Sequence, residues 1–393
     1  LDGAAVEIDG IVVGDFQDGL GGFFVQEPDA DQDDNSTTSE GIYVFGGDTD
    51  VAVGDLVTVQ GTVDEFNGLT EITSVVSVTV TSSGNPLPTP TQLSLPATDA
   101  DREAVEGMYV TLPQALVISE YFNFDRFGEI VLTVDRQNTP TAVVEPGPDA
   151  VALAEQQALE RITLDDGRSA QNLDPAIHPN GQEFTLTNLF RGGDTVTNVT
   201  GVMDFAFGLY RIQPTQGADY TAVNPRPADP PAVGGDMKVS SFNVLNYFHT
   251  LDTGATICGP GQNQDCRGAN DTVERDRQLA KIVAAMAAVN ADVFGINEVE
   301  NTTGVEAMAD IVAGLNAAGV GSYAYLDTGT IGTDAIKVSF IYRTDTVEPV
   351  GDFAILDASV DQRFRDDKNR PALAQTFRHL DTGGEVTVAV NHL

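Results

Sequence analysis

Two apolar stretches in the C-terminal half of the chain each contain one side chain suited to binding a metal ion. Asn243 lies in the run 237–248, and Glu298 lies in the run 292–301. A carboxylate or amide in an apolar strand needs a partner, because burying a polar group alone is unfavourable. Oxygens of these types are the hard ligands that Mg²⁺ prefers, with water completing its coordination. The pair predicts a divalent-cation site, although Glu298 alone is equally well explained as an ordinary strand-end carboxylate.

The last apolar run ends on a histidine. Residues 386–391 alternate in polarity, which is typical of a strand, and His392 follows them. In a site that hydrolyses phosphodiesters, such a histidine would be the general base or would stabilise charge that develops on the phosphate. A histidine at a strand end is more commonly a polar terminus. The catalytic interpretation therefore depends on His392 reaching the metal-binding pair.

The segments around these residues predict alternating strands and helices. Asp271 and Glu274 form a predicted capping box, and apolar residues at helical spacing follow them. A second helix is predicted to begin near 302–303. Further strands are predicted at 323–326, 335–342, 372–377 and 385–392. Helices that alternate with apolar strands indicate a layered α/β domain.

The N-terminal part is predicted to be entirely β. A pattern that begins at Gly54-Asp55 recurs from Gly193-Asp194 with one residue inserted. The repeat predicts two small five-stranded barrels, the second with an insertion at about 135–183 that contains a helix at 150–161. A single irregular β-sandwich is the alternative. The predicted domains are a β module at 1–83, a second β module at 99–222, a Pro/Gly linker at 223–236 and an α/β domain at 237–393.

The charge is strongly acidic and unevenly distributed. The formal net charge is -39, and the first Lys or Arg of the chain is Arg102. Such a surface repels phosphate backbones, so a generic tight nucleic-acid binder is disfavoured. An enzyme with a local cationic or metal-loaded cleft is not excluded. Solubility, calcium binding and life in salty water also account for an excess of acid.

An acidic loop in the first module has a spacing that suits calcium. Asp29, Asp31 and Asp33 alternate, and Glu40 lies eleven residues after Asp29. Calcium takes several oxygens at flexible geometry. However, Asp34 stands where an EF-hand loop requires glycine, and no helices are predicted on either side. A calcium site and a solvated acidic loop both remain open.

Cys258 and Cys266 are the only cysteines. The Gly/Pro/Asn-rich segment between them predicts one local disulfide, while two free thiols or half of a metal site are the alternatives. A disulfide indicates a location outside the cytoplasm. The sequence shows no signal peptide or membrane span, and because residue 1 is Leu, we expect that an export signal has already been removed.

Five segments carry a resemblance to a known family. They are Ser-Phe-Asn-Val-Leu-Asn-Tyr-Phe at 241–248, Gly-Ile-Asn-Glu-Val-Glu-Asn at 295–301, Thr-Asp-Ala-Ile-Lys-Val at 333–338, Asn-Arg-Pro-Ala-Leu-Ala-Gln-Thr-Phe at 369–377 and Val-Asn-His-Leu at 390–393. Together they resemble the endonuclease/exonuclease/phosphatase superfamily, and most closely its secreted bacterial branch, the ExeM/NucH-like extracellular nucleases. The cysteine loop is similar to that branch too, and the first β module resembles the OB-fold modules that precede such nucleases.

The resemblance implies a four-layer αββα sandwich that hydrolyses phosphodiesters with Mg²⁺ or Mn²⁺. Asn243 and Glu298 match the metal-site positions, and His392 matches the histidine that contacts the phosphate. Asp334 and Lys337 belong to a motif near the cleft without an assignable role. Arg370 is interpreted as structural. The family's later motifs, an Asp-x-Asn pair and a C-terminal Asp-His pair, are not in this sequence, so we expect a truncated domain that a further C-terminal segment completes.

The sequence therefore predicts a secreted bacterial, metal-dependent nuclease that acts on extracellular DNA. A phosphomonoesterase or lipid phosphodiesterase of the same superfamily is the first alternative. The second is a non-enzymatic, calcium-dependent adhesion or assembly protein outside the cell. Magnesium or manganese is the expected cofactor, and calcium is a further candidate.

Overall fold

The computed structural model describes residues 2–33 and 35–392. The protein is mostly β and contains several sheets. It divides into two compact units, Leu1–Arg226 and Pro227–Leu393, called unit 1 and unit 2 below. The division falls inside the segment 223–236. Within the described residues, no helix combines the length and the apolar character needed to cross a bilayer.

Unit 1 begins with a closed five-stranded barrel. Its elements are β1 (Ala5–Phe16), α1 (Gln17–Leu20), β2 (Gly22–Gln26), β3 (Gly41–Phe45), β4 (Leu56–Phe66) and β5 (Leu69–Ser82). The strand order is β1-β2-β3-β5-β4, and β3 and β5 form the parallel pair. Alternate residues such as Val57 and Val59 are fully buried, because successive side chains of a strand point to opposite faces. The barrel core therefore follows from period-two alternation.

The rest of unit 1 is a nine-stranded sheet. Its elements are β6 (Thr91–Gln92), α2 (Asp99–Glu103), β7 (Tyr109–Leu112), β8 (Leu116–Glu120), α3 (Phe124–Phe127), β9 (Ile130–Thr133), a 3₁₀ turn (Pro140–Ala142), α4 (Pro148–Leu159), β10 (Arg161–Leu164), β11 (Thr195–Thr197), β12 (Val199–Ala206), β13 (Leu209–Pro214) and β14 (Asp219–Thr221). The strand order is β14-β11-β8-β9-β10-β13-β12-β7-β6. Helix α4 begins and ends two residues earlier than predicted.

The nine-stranded sheet repeats the connectivity of the barrel. Strand β8 pairs with β11, and β7, which precedes β8 in the chain, pairs with β12, which follows β11. In the order β8-β9-β10-β13-β12-β7, the strands β10 and β13 are a parallel pair, as β3 and β5 are in the barrel. The sequence repeat lies on equivalent hairpins, whose tips are Asn67-Gly68 and Phe207-Gly208.

Unit 2 contains two sheets. The first is built from β15 (Val239–Tyr247), α5 (Thr272–Val289), β16 (Val293–Glu300), α6 (Glu306–Ala318), β17 (Tyr323–Tyr325) and β18 (Ile336–Arg343), in the order β15-β16-β18-β17. Helix α5 is the crossover that joins the parallel strands β15 and β16. The side chain of Asp271 accepts a hydrogen bond from the backbone N–H of Glu274 and caps this helix.

The second sheet of unit 2 has three strands, β19 (Val347–Leu356), β20 (Ala372–His379) and β21 (Glu385–Val390). It packs on the four-stranded sheet through a core that includes Phe340 and Phe377. Helices α5 and α6 cover the other face of the four-stranded sheet. The described residues thus form three layers, helices, sheet and sheet, and a second helical layer is not among them.

Two expectations for unit 2 were wrong in detail. Helix α6 begins at Glu306 rather than near 302–303, because Gly304 N–H donates to Thr302 Oγ1 in a turn that precedes the helix. Strand β19 was not predicted. It contains Pro349 and Gly351, which weaken the strand pattern of its sequence.

Candidate active site

The predicted metal ligands lie where the regular pairing of β15 and β16 is interrupted. The two strands pair in register as far as Asn243 with Asn297, and pairing resumes at Tyr247 with Val299. Three residues of β15 therefore face a single residue of β16, which is Glu298. Bulges of this kind bend a strand and redirect a side chain, and they are common beside active sites. The interruption moves the Glu298 carboxylate out of the regular alternation of its strand.

The backbone at this bulge is strained. Glu298 has a φ of 65°, and Leu245 and Asn246 have φ values of 54° and 52°. Left-handed conformations cost about 1 kcal/mol or more for residues other than glycine. Two hydrogen bonds stabilise the arrangement: Leu245 N–H donates to Asn243 Oδ1 at 2.7 Å, and Asn246 N–H donates to Glu298 Oε2 at 3.2 Å. The side chains predicted to bind metal thus also hold the bulge in place.

His392 reaches Glu298 from the end of the three-stranded sheet. Its Nε2 lies 3.4 Å from Glu298 Oε1, and both side chains are less than one-fifth exposed. The Nδ1 atom is buried and has no hydrogen-bond partner among the described residues. Burial, followed by the charge of Arg370, lowers the pKa of His392, while Glu298 and Asp334 oppose that shift. A neutral imidazole is thereby favoured near pH 7, as a general base requires.

Glu298, Asn243 and Asn297 lie at the same interruption of the pairing between β15 and β16, and their oxygens are of the type that hard cations prefer. Asn243 Oδ1 accepts one hydrogen bond and retains a second lone pair. The Oδ1 atom of Asn297 is buried and has no partner within the residues described. Over 2–33 and 35–392, no group of three or more His, Cys, Asp or Glu side chains is placed to hold a metal ion. One carboxylate with amide oxygens suits Mg²⁺ better than a fully protein-ligated ion.

Asp334 is connected to this site through an arginine. Arg370 donates from Nε and Nη2 to Asp334 Oδ2 at 2.9 and 2.8 Å. Arg370 N–H also faces the backbone oxygen of His392 at 3.4 Å. Arg267 donates from Nη2 to the other oxygen of Asp334 at 2.9 Å. Sequence reasoning overlooked Arg267, although its position directly after Cys266 places it on the cysteine loop.

Lys337 is directed elsewhere. Its side chain is almost fully buried, and Nζ donates to the backbone oxygen of Gly329 at 2.5 Å. Burial lowers its pKa, and the charges of Asp327 and Glu300 act against that shift. No hydrogen bond within the described residues joins Lys337 to Glu298 or His392. The two residues of this motif therefore differ: Asp334 pairs with Arg370, and Lys337 donates to the backbone of Gly329.

The cysteines form the predicted local disulfide. Cys258 and Cys266 are bonded, with their Cα atoms 5.1 Å apart. The prediction of one local bridge is confirmed, and the free-thiol alternative is wrong. Both cysteines are buried against Phe248, Ala335 and Ile336. The disulfide loop therefore packs on the strands that carry the candidate site.

The acidic residues of the predicted calcium loop are partly committed to other contacts. Asp29 accepts hydrogen bonds from the N–H and the hydroxyl of Thr89 at 2.8 and 2.7 Å, which lower its pKa. Burial, followed by the charge of Asp33, raises the pKa of Glu40. The structure thus brings Asp33 near Glu40 and ties Asp29 to a different segment. Asp31 has no side-chain hydrogen bond among the described residues.

A second polar group near the site was missed by sequence reasoning. His249 Nδ1 lies 2.7 Å from Asp310 Oδ2, and the hydroxyl of buried Tyr247 donates to the same oxygen at 3.1 Å. Glu300 accepts the backbone N–H groups of His249 and Thr250 at 2.9 and 3.2 Å. His249 and Asp310 are 61 positions apart in the chain, and His249 and Glu300 are 51 apart, so no local pattern signals the group.

Comparison with known proteins gives one family model and several distant structural likenesses. A family model described as a domain of unknown function (DUF8508) matches residues 95–225, a range that contains the predicted second β module at 99–222. No curated protein matches the chain. An endonuclease/exonuclease/phosphatase family protein from Bacteroides thetaiotaomicron is similar at 18% identity and a TM-score of 0.28, over 40% of this chain and 50% of that one.

Two further solved structures show a similar degree of likeness. A functionally unknown conserved protein from Enterococcus faecalis V583 matches at 15% identity and a TM-score of 0.26, over 40% of this chain and 53% of its own. The human Nocturnin catalytic domain with bound sulfate matches at 15% identity and a TM-score of 0.21, over 30% and 42%. This chain spans about half the length of the solved structures that it matches.

Proposed function

We propose that the protein is a metal-dependent phosphodiesterase of the endonuclease/exonuclease/phosphatase type, secreted by a bacterium and acting on extracellular DNA. The observation that supports it best is the contact of His392 with Glu298 at a strained bulge beside Asn243. Strain at a polar, partly exposed cluster is typical of functional sites. The five sequence motifs of unit 2 support the same class.

In this proposal, Glu298 and Asn243 hold Mg²⁺ or Mn²⁺ together with water. When bound, the ion supplies Lewis-acid polarisation of a phosphate oxygen and neutralises charge in the displacement. His392 contacts the phosphoryl group or takes a proton from the attacking water, since burial favours its neutral form. His392 Nε2 lies 3.4 Å from Glu298 Oε1, which supports placing both side chains at the same site.

Unit 1 is proposed to consist of two OB-fold modules with an accessory role. The barrel order β1-β2-β3-β5-β4, with one parallel pair, supports that assignment for the first module, and the repeated connectivity supports it for the second. Residues 1–101 contain no Lys, Arg or His. We therefore do not propose that the first barrel binds nucleic acid strongly, because OB-folds bind single strands along a cationic groove.

Secretion is proposed on the basis of the disulfide. Disulfides persist in oxidising compartments and are rare in the cytosol. Both cysteines are buried against Phe248, Ala335 and Ile336. The acidic composition is compatible with solubility in such an environment.

The proposal is tested by incubating the purified protein with linear DNA, with and without Mg²⁺, and with a chelator. We expect hydrolysis that requires the ion and disappears in Glu298→Ala. Cleavage of a phospholipid head group with intact DNA would instead indicate the lipid phosphodiesterase alternative. No hydrolysis, together with a calcium-dependent rise in melting temperature, would favour the adhesion or assembly role.

A further inference from the structure

One carboxylate joins three segments of unit 2. Asp334 Oδ1 accepts a hydrogen bond from Arg267 Nη2 at 2.9 Å, and Asp334 Oδ2 accepts two from Arg370 at 2.9 and 2.8 Å. Arg267 lies on the disulfide loop, and Arg370 lies just before β20. Hydrogen bonds between charged groups are about twice as strong as neutral ones. The three residues are called the Asp334 clamp below.

The clamp is anchored to the strand that carries Glu298. The backbone oxygen of Asp334 accepts a hydrogen bond from Asn301 Nδ2 at 2.8 Å, and the same nitrogen donates to Ile331 O at 2.7 Å. Asn301 directly follows β16 and is fully buried. Its Oδ1 accepts Ile331 N–H at 3.1 Å. Asp334 is therefore fixed relative to Glu298 through a buried side chain.

On the other side, the clamp reaches His392 through main-chain atoms. Arg370 N–H faces the backbone oxygen of His392 at 3.4 Å. The imidazole has no partner at Nδ1 in the described part of the chain, so no carboxylate orients it from that side. Its position depends on the backbone to which it is attached. A misplacement of about 1 Å in a catalytic group can lower a rate by about a hundredfold.

The disulfide loop and the residue after it contact the segment Thr333-Asp334 at two points. Besides the ion pair of Arg267, Gln264 Nε2 donates to the backbone oxygen of Thr333 at 2.5 Å. Gln264 in turn pairs with Cys258 by two backbone hydrogen bonds of 2.9 and 3.1 Å. The bridge from Cys258 to Cys266 closes the loop and thereby limits where Arg267 can lie.

We propose that Asp334 is a positioning residue that holds His392 against Glu298 through Arg370, and that the disulfide loop stabilises this arrangement through Arg267. The inference rests on the proposed function of the same site. Asp334 itself touches neither Glu298 nor the imidazole in any hydrogen bond. A purely structural ion pair at the surface would contribute little to stability, and its loss should leave kcat unchanged.

The first test compares Asp334→Asn with wild type in Mg²⁺-dependent hydrolysis of a short DNA duplex by the full chain. Asparagine keeps the shape but loses the charge that binds both arginines. We expect kcat to fall at least tenfold with KM changed less than twofold, because orientation rather than binding is lost. The matched control is Asp345→Asn, which breaks the 2.7 Å pair with Arg343 in the same unit. Equal kcat in both variants overturns the proposal.

The second test examines whether the disulfide loop acts on the site through Arg267. Arg267→Met should lower kcat about threefold to tenfold, and Arg267→Lys should recover part of it. Dithiothreitol should lower the kcat of wild type by a similar factor, with no further loss in Arg267→Met. Arg378→Met is the control, since Arg378 and Arg267 have equally exposed, ion-paired side chains. Full additivity of reduction and Arg267→Met would show that the disulfide acts by another route.

A third measurement separates this inference from the proposed function. If wild type hydrolyses no DNA with Mg²⁺, the proposed function fails, and hydrogen exchange at the Arg370 amide still tests the clamp. We expect exchange at least tenfold faster in Asp334→Asn than in wild type or Asp345→Asn. Unchanged exchange at this amide would overturn the clamp irrespective of activity.

Discussion

Arg211 of unit 1 and Arg370 of unit 2 both pair with carboxylates, and the two arginines differ in their access to solvent. In unit 1, Arg211 donates from Nη1 to Asp165 and Glu129 at 2.7 and 2.9 Å, and its side chain is 2% exposed. In unit 2, the side chains of Arg370 and Asp334 are each about one-quarter exposed. The Arg211 group is buried inside unit 1. The Arg370 group borders the space between the disulfide loop and the segment before β20.

The two groups share two features and differ in a third. A buried atom without a hydrogen-bond partner does not distinguish them, because Arg211 Nε and His392 Nδ1 both lack one among the described residues. An ion pair does not either, since both regions have one. The difference is solvent access, because the side chain of Arg211 is 2% exposed and those of Glu298 and Asp334 are 17% and 26% exposed. Solvent reaches the group in unit 2 and is largely excluded from Arg211.

The largest effect is expected from removing the charge of Glu298 in unit 2. Glu298→Gln should lower the rate of DNA hydrolysis by about 10²–10³-fold, as expected when a group that stabilises transition-state charge is lost. The melting temperature should change little, because the glutamine oxygen can still accept Asn246 N–H. Initial rates and thermal melts measure the two effects, with Glu385→Gln as control. A normal rate would remove Glu298 from the mechanism.

The next prediction concerns the buried Arg211 group. Arg211→Met should destabilise unit 1 by about 3–5 kcal/mol, because it leaves buried carboxylates without their cation. DNA hydrolysis per folded molecule should be unchanged. Urea unfolding measures the first effect, and Arg378→Met, an exposed pair, should cost about 1 kcal/mol or less. If Arg211→Met abolished hydrolysis in the folded protein, the distinction between the two groups would be wrong.

Stability of unit 1 should also depend on pH through buried acids of its own. Burial raises the pKa of Glu106 to about 7, although a hydrogen bond from Thr70 opposes the shift. The folded state therefore binds this proton more tightly than the unfolded state, whose pKa is near 4.5. Stability should fall as pH rises from about 5 to about 8. Thermal melts should show this slope, and Glu106→Gln should reduce it; an equal slope in the variant would assign it to other groups.

The smallest effect on stability is expected from substitutions at the two equivalent hairpin tips. Phe207 has a φ of 54° and is 91% exposed, while Asn67 holds the same conformation in the first module. Asparagine tolerates this conformation better than a bulky residue does. Phe207→Asn should relieve about 1 kcal/mol of strain and lose about 0.5 kcal/mol from the ring that lies 5.5 Å from the Arg211 guanidinium. A net stabilisation of about 0.5 kcal/mol is expected.

Chemical denaturation of Phe207→Asn and of the reciprocal Asn67→Phe should give opposite signs. A loss of stability in Phe207→Asn would mean that the ring contributes more by covering Arg211 than its strained backbone costs. The burial of the Arg211 group would then depend on the Phe207 ring.

The amino-acid sequence by itself determined the elements and the local bonds. Period-two alternation predicted the β segments of unit 1, helical spacing predicted α5, and the loop composition predicted the disulfide. These features depend on neighbouring residues, whose conformational preferences are read directly from their order. The motifs also named Glu298 and His392, which the structure brings to 3.4 Å.

Only the tertiary structure decided which side chains meet. Asp334 and Lys337 are three residues apart, yet one joins Arg370 and the other donates to Gly329, because a bulge and strand pairing set the direction of each side chain. Arg211 and Arg370 likewise cannot be distinguished by type or by neighbours in the chain. Their difference is burial, and burial depends on residues far away in sequence.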